Sequence, residues 1–332
     1  MKSLDSKNKI IISNPDVLEQ KKEIFRKSFT YHSDNDSKKD KILFVSDFDY
    51  TLFNKYNYSN GDKYISSFGM YNQEVFGGDQ EKLIQQRRKL HDIYLKYEED
   101  VTIDENIRKE KLLEWNIKAL NIMAHPDFPL DSIKKMVELK NDSKFINFKK
   151  NVCEFYEKLI ELNIPILIVS GGIKQIIIEF LKLLNIKGLE EYTIIESFII
   201  IEKGRLSFIS NELFFDENTN KCVGYNKNVI YGFNKSDYVE KFVHEKYPNV
   251  ENVFVFGDLD TDYKSIEKLN LDKNKNIIGV GFLYYYPEEI KDEKFQIDNN
   301  KQLERYKGIF DINLLMDEGY DYPKELLNIF KK

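Results

Sequence analysis

Apolar positions in this chain follow two different periods, and the two are kept apart. Short unbroken apolar runs occur at Ile42-Leu43-Phe44-Val45, Ile166-Leu167-Ile168-Val169, Val253-Phe254-Val255-Phe256 and Ile277-Ile278-Gly279-Val280-Gly281. Each is too short for a helix and is flanked by turn-forming or polar residues, so each predicts a strand buried on both faces of a parallel sheet. Ile10-Ile11-Ile12 predicts a further extended piece that stops at Asn14-Pro15. Asn14 or Asp16 then caps a helix with Ile24, Phe25 and Phe29 on its inner face. From about Lys55 to Lys144 the strand-like runs vanish and helical spacing takes over. It runs through Leu83, Ile84, Leu90, Ile93 and Tyr94, and again through Ile107, Leu112, Leu113, Trp115, Ile117 and Leu120. Pro126 and Pro129 separate these from a helix carrying Ile133, Met136 and Val137.

The remaining segments return to a strand-and-helix rhythm. Phe145 to Leu162 predicts a helix stopped by Asn163 and Pro165, and a second helix carries Ile176, Ile177, Phe180, Leu181 and Leu184 after the next strand. Tyr192 to Ile201 and Leu206 to Phe215 are strand-like, with Glu202-Lys203-Gly204-Arg205 as a hairpin turn. A helix begins at Asn234-Lys235-Ser236-Asp237, and the polar tail from Glu288 ends in an amphipathic piece from Leu326 to Phe330. Residues 1–9 and the stretch from His32 to Asp40 are polar connections. The pattern predicts an α/β fold: a doubly wound, Rossmann-like parallel sheet from residues 1–54 and 145–332. An α-helical cap domain, residues 55–144, is inserted after strand one.

Composition narrows the class. The 332 residues are 42% hydrophobic and 32% charged, which suits a globular protein. A net charge of −6 gives no support for a nucleic-acid partner, and the lysine-rich segments are interleaved with acids and carry no aromatic platform. Cys153 and Cys222 form neither a CxxC pair nor a zinc site, so a reduced chain is expected. With no apolar signal core and no stretch long enough to span a bilayer, a cytoplasmic location without membrane contact is expected. The oligomeric state stays open.

The candidate chemistry sits at the strand ends, where ligands collect in open α/β sheets. Strand one runs into Asp47, Asp49 and Thr51; the next into Ser170-Gly171-Gly172; Lys235 opens a later helix; and Asp258, Asp260 and Asp262 follow another strand. Taken singly, each reads as a turn, a solvated lysine or an acidic loop. Carboxylates at one strand end can also serve as nucleophile, proton carrier and ligands to a hard cation.

In this order the residues resemble the motifs of the haloacid dehalogenase superfamily of phosphatases. At finer grain the chain is similar to the cytosolic 5′-nucleotidase III family, often called pyrimidine 5′-nucleotidases. Ile12-Ser13-Asn14-Pro15, the Ser46-to-Leu52 string, Ser170-Gly171-Gly172, Ser210-Asn211, Phe215-Asp216-Glu217-Asn218, Phe233-to-Asp237 and Gly257-Asp258 carry that likeness, with Tyr94 to Asp100 and Glu114-Trp115 in the cap. The resemblance implies a phosphomonoesterase that hydrolyses nucleoside 5′-monophosphates. Asp47 is the implied nucleophile and Asp49 the implied acid and base. Mg²⁺ would be held by Asp47, Asp258 and the Asp49 carbonyl. Asp262 would support the metal shell or pin Lys235, which neutralises charge, and Thr51, Ser170 and Gly171 would bind phosphate. Glu98 reads as a nucleoside contact or a solvated acid, Trp115 as a stacking face or core, Asp260 as structural, and His91 and His125 as bystanders.

Residues near 192–205 look like extra length beside the family pattern, and Asn54 to Gly78 also differ from it. Base preference and phosphotransferase side activity therefore stay open. So do two other functions: the same chemistry on another small phosphate ester, and a non-catalytic binding protein on this fold.

Overall fold

The short apolar runs lie side by side in one sheet. A computed structural model describes residues 9–30, 41–72, 79–100, 102–126, 128–142, 144–187, 193–195, 198–200, 206–285 and 293–331. In chain order the strands are β1 (Ile10–Ile12), β2 (Ile42–Ser46), β3 (Ile166–Ile173), β4 (Thr193–Ile195), β5 (Phe198–Ile200), β6 (Leu206–Asn211), β7 (Leu213–Phe215), β8 (Cys222–Tyr225), β9 (Asn252–Gly257), β10 (Ile277–Leu283) and β11 (Ile312–Leu315). The helices are α1 (Pro15–Thr30), α2 (Asp79–Glu99), α3 (Glu105–Met123), α4 (Leu130–Asp142), α5 (Val152–Glu161), α6 (Lys174–Leu184), α7 (Lys235–Lys246), α8 (Asp260–Lys264), α9 (Glu293–Lys307) and α10 (Asp321–Leu326).

The main sheet has the order β1-β11-β10-β9-β2-β3-β6, parallel throughout except for antiparallel β1 at one edge. Its middle strand, β2, is buried at every residue because both faces are covered. Leu43 and Val45 pack with Val239, Phe242 and Val243 of α7. Phe44 points the other way, into a cluster with Phe25 of α1, Phe155 of α5 and Tyr320 beside α10. This two-sided cover is the doubly wound arrangement that the continuous apolar runs predict. Pairing Val45 with both Val255 and Leu167 brings the carboxyl ends of β2 and β9 together, while β3 runs on past them to Ile173. The ladder runs one residue further, because the Asp47 N–H donates to the Phe256 carbonyl at 2.9 Å.

The chain leaves the sheet after Leu52 and returns through a narrow antiparallel neck. Phe53 is bridged to Phe148, the Asn54 N–H donates to the Asn147 carbonyl at 2.8 Å, and the Lys149 N–H donates to the Leu52 carbonyl at 3.0 Å. Helices α2, α3 and α4 lie between the two sides of the neck. Tyr94, Leu112, Trp115 and Ala119 form a small core between α2 and α3, while Leu120 and Met123 at the end of α3 reach the main core. Ile133, Met136 and Val137 of α4 also join the main core, beside Ile176 and Phe180 of α6.

Two expectations are corrected, and two features appear that the pattern did not show. The helix expected from Phe145 begins only at Val152, because Phe148 is drawn into the neck and Asn151 takes a left-handed φ of 60°. The strand expected from Leu206 to Phe215 is split at Glu212, whose N–H is taken by Asn226 Oδ1 at 2.6 Å; β6 joins the main sheet while β7 pairs with β8. Within the polar tail, α9 packs Leu303 and Tyr306 against Leu283 and Leu315. Finally, β11 enters the sheet between β10 and β1 with Asn313 fully buried in it, an interruption that hides the run in the sequence. The expected turn at 202–205, residues 1–8 and the polar connection at 31–40 lie outside the described residues. Residues 193–195 and 198–200 form a two-stranded ribbon of their own.

Candidate active site

Three strand ends and one helix start converge on a single cavity of about 730 Å³. Asp47 follows β2 and Asp258 follows β9, each 8% exposed. Lys235 is the first residue of α7, and its ammonium donates to Asp47 Oδ1 at 2.6 Å and to Asp262 Oδ1 at 2.7 Å. The second oxygen of Asp262 accepts the N–H groups of Asp258 (3.1 Å) and Leu259 (2.9 Å), so Asp262 pins both the lysine and the acidic loop. That close approach requires Gly257, where a Cβ would come within 2.2 Å of the Asp262 Cβ. Thr51 Oγ1 lies 3.5 Å from Asp47 Oδ2, and the Tyr320 hydroxyl holds the Thr51 carbonyl at 3.1 Å. Tyr306 donates its hydroxyl to the Asp258 carbonyl.

Charge in the site does not balance. Asp47, Asp258 and Asp262 present oxygens within 4.8 Å of one another, against one ammonium from Lys235. Burial, with the Asp262 charge second, raises the Asp47 carboxyl, and Lys235 opposes that rise. Burial, followed by the Asp262 and Asp47 charges, lifts Asp258 well above the usual carboxylate range. Burial works against the Lys235 ammonium, but the Asp262 and Asp47 carboxylates outweigh it and keep the amine protonated above its ordinary range. Among the described residues the Asp258 carboxylate has no hydrogen-bond donor. An all-oxygen set with surplus negative charge fits a hard divalent cation such as Mg²⁺.

Asp49 is treated differently. The Ser67 N–H donates to its Oδ1 at 2.6 Å and the Ser67 hydroxyl to its Oδ2 at 2.7 Å. Burial raises the Asp49 carboxyl to about 6, and the Ser67 bonds pull against that rise.

The opposite wall is the end of β3. Ser170 Oγ accepts the Gly172 N–H at 3.0 Å. Asn211, fully buried at the end of β6, donates from Nδ2 to the carbonyls of Gly171 and Ile230, each at 2.8 Å, and accepts the Ile230 N–H at 2.8 Å. Its amide fixes this wall against the segment that leads to Lys235.

The remaining wall comes from the cap. Trp115 lies parallel to Tyr94 with ring centroids 6.4 Å apart, and edge-on to Phe68 at 6.2 Å. Trp115 is 7% exposed within the core between α2 and α3 and also lines the cavity. His91 sits on the cavity wall 6.0 Å from Trp115, whereas His125 is not among the lining residues. Glu98 is exposed on the wall, and its carbonyl accepts from Arg108 Nη2 at 3.0 Å. Asp260 also lines the cavity, 3.8 Å from the Lys264 ammonium.

The fold thus gathers Asp47, Asp49, Thr51, Ser170, Gly171, Lys235, Asp258 and Asp262, with Glu98 on the cap side. Sequence reasoning missed Ser67, the assignment of a task to Asn211, and Tyr306. A buried asparagine at a strand end was a signal for the second; nothing in local spacing points to the other two.

A model of the family described as pyrimidine 5′-nucleotidase (UMPH-1) matches residues 50–331. The 7-methylguanosine phosphate-specific 5′-nucleotidase of Drosophila melanogaster is 24% identical over 304 residues, covering 88% of this chain and 81% of that protein. The putative cytosolic 5′-nucleotidase 3 of Caenorhabditis elegans is 25% identical over 296 residues, 87% of this chain and 69% of that protein. A crystal structure of cytosolic 5′-nucleotidase IIIB bound to cytidine matches with a TM-score of 0.74 and 20% identity, covering 98% of this chain and 95% of that one, so the fold is shared.

Proposed function

The chain belongs to the pyrimidine 5′-nucleotidase family and is a phosphatase of the 5′-nucleotidase type, and from that premise we propose that it is a Mg²⁺-dependent phosphomonoesterase that converts nucleoside 5′-monophosphates to nucleoside and phosphate through an aspartyl-phosphate on Asp47. One observation supports the division of labour best. Of the two acids after β2, Asp47 is ion-paired at 2.6 Å with Lys235 and belongs to the three-carboxylate cluster, whereas Asp49 lies outside that cluster and takes two donors from Ser67. Burial raises both carboxyls, Asp47 to about 8 and Asp49 to about 6; Lys235 and a bound cation would hold Asp47 anionic for attack, and the buried Asp49 can carry a proton near neutral pH.

In the first step an Asp47 oxygen attacks phosphorus, the bond from phosphorus to the ester oxygen breaks, and Asp49 gives its proton to that oxygen. In the second, water attacks the phosphorus, Asp49 takes its proton, and phosphate leaves with release of the Asp47 carboxylate. Lys235, Thr51, Ser170 and Gly171 face the phosphoryl oxygens. Asp47, Asp258 and the Asp49 carbonyl would hold Mg²⁺, with Asp262 fixing their loop. When bound, the ion neutralises charge on the phosphoryl group. The aromatic wall of Phe68 and Trp115 supplies a surface for a base, and Glu98 lies beside it. We place the activity in the cytoplasm, in line with relatives named cytosolic.

Phosphate release over pyrimidine, purine and methylated-purine monophosphates and sugar phosphates, with Mg²⁺ or with chelator, tests the reading. Turnover of nucleotides that is lost on chelation is expected. Preference for sugar phosphates would make the chain a phosphatase of another ester, and no release from any ester would leave a binding protein.

A further inference from the structure

Asp47 and Asp262 are held from the sheet domain, through Lys235 and the loop after β9. Asp49 is held from the inserted segment. Ser67 lies eighteen residues further along the chain, past the neck, and it is fully buried. It donates to both carboxylate oxygens of Asp49, one bond from its backbone and one from its side chain. Two donors from one residue fix the plane of that carboxylate as well as its position. The sheet domain leaves room for this contact, since a Cβ on Gly172 would come within 2.3 Å of the Ser67 oxygen.

We propose that Ser67 is a positioning residue for proton transfer: it orients Asp49, and so makes acid–base competence depend on the seating of the inserted segment against the end of β3. This rests on the phosphatase reading above. A nucleotide ester needs the Asp49 proton to depart, and the phosphorylated Asp47 needs the Asp49 carboxylate to be hydrolysed. An ester with a good leaving group needs no proton for the first step. Loss of Ser67 therefore acts selectively.

Ser67→Ala removes the hydroxyl and keeps the N–H. Wild type, Ser67→Ala, Asp49→Asn and the double variant are assayed on a nucleoside monophosphate and on p-nitrophenyl phosphate. Ser67→Ala is expected to lower nucleotide kcat about 10–100-fold. The burst of p-nitrophenolate should stay within about threefold of wild type, followed by a slower steady state. In the Asp49→Asn background the alanine should cost nothing further, because its effect runs through Asp49. Ser67→Cys, close in size and a weaker donor, should show the same ordering with smaller losses, and it serves where the alanine variant does not fold. Equal losses in the first-turnover (burst) rate on both esters, or losses that multiply in the double variant, overturn the assignment while the phosphatase reading stands. A wild type inactive on both esters removes that reading and the assignment with it.

Discussion

Asp47 and Asp49 stand two residues apart with the same functional group but different neighbours, and the proposed mechanism gives them different work. Asp47→Asn removes the attacking oxygen, so no covalent intermediate should form with any ester. Asp49→Asn removes only the proton carrier, so p-nitrophenyl phosphate should still phosphorylate Asp47 and then stall. The expected signature is a burst of about one p-nitrophenolate per site and an added phosphoryl mass in the Asp49 variant alone. That mass in the Asp47 variant would exchange the roles. Asp258 allows a test without turnover. Its carboxyl is raised by burial and by the Asp262 and Asp47 charges, so the folded protein binds a proton more tightly than the unfolded chain does. Without metal, stability must then fall as pH rises from the ordinary carboxylate range through the raised one. At pH 7.5 metal-free Asp258→Asn should melt a few degrees higher than wild type, because the repulsion among the buried carboxylates is relieved. Mg²⁺ should raise the melting temperature of wild type and do so much less for the variant. An equal metal shift in both would remove Asp258 from the metal set.

Among the secondary-structure elements, the neck is the unusual feature. Lys149, 2% exposed, donates to Asn54 Oδ1 at 3.3 Å and to the Glu318 carbonyl at 3.2 Å, and lies over the rings of Phe282 (4.5 Å) and Tyr284 (4.7 Å). It ties the return strand of the neck to β10 and to the loop after β11. Among the described residues no carboxylate pairs with it, and burial pushes its amine down to about 7. The unfolded chain therefore binds the proton more tightly, and stability should rise between pH 7 and about 10. Over that window wild type should gain on Lys149→Met by on the order of a few kcal/mol, read by denaturant unfolding. A constant difference would mean that the amine stays charged in the fold. The same clamp explains why a helix cannot begin at Phe145: the bonds of residues 147–149 go to the neck.

For the whole molecule, the inserted helices meet the sheet domain in two ways. The α4 helix and the end of α3, through Leu120 and Met123, share the main core, whereas the start of α3 meets the sheet domain through a few ring and charge contacts. Arg108 lies 5.3 Å over Phe233, two residues before Lys235, and Lys264 is 3.6 Å from Glu105. We infer that α2 and α3 act as a lid over the phosphate site, with Glu98 facing the nucleoside. Glu98→Ala should then lower kcat/KM for a nucleotide about tenfold and leave p-nitrophenyl phosphate within about twofold. Equal losses would make Glu98 an ordinary solvated acid.

The sequence by itself determined the order of the chemistry. An apolar run followed by acids, by serine and glycines or by an acidic loop is a local pattern, and a parallel sheet turns chain order into one shared edge. Asp47, Ser170 and Asp258 were legible as strand-end residues for that reason, Lys235 only through the family resemblance, and the helical insertion through a period that differs from that of the strands. The tertiary structure alone decided which side chains meet across long stretches of chain. The Ser67 bond to Asp49, the Asn211 clamp on Gly171 and Ile230, the Lys149 neck and the His91 position on the cavity wall all join segments far apart in sequence. The β11 strand and the start of α5 belong with them, because each was settled by what packs beside it: β11 by its place between two strands, α5 by the neck. Periodicity records what a residue's neighbours in the chain require. Partners brought together by folding leave no trace in local spacing.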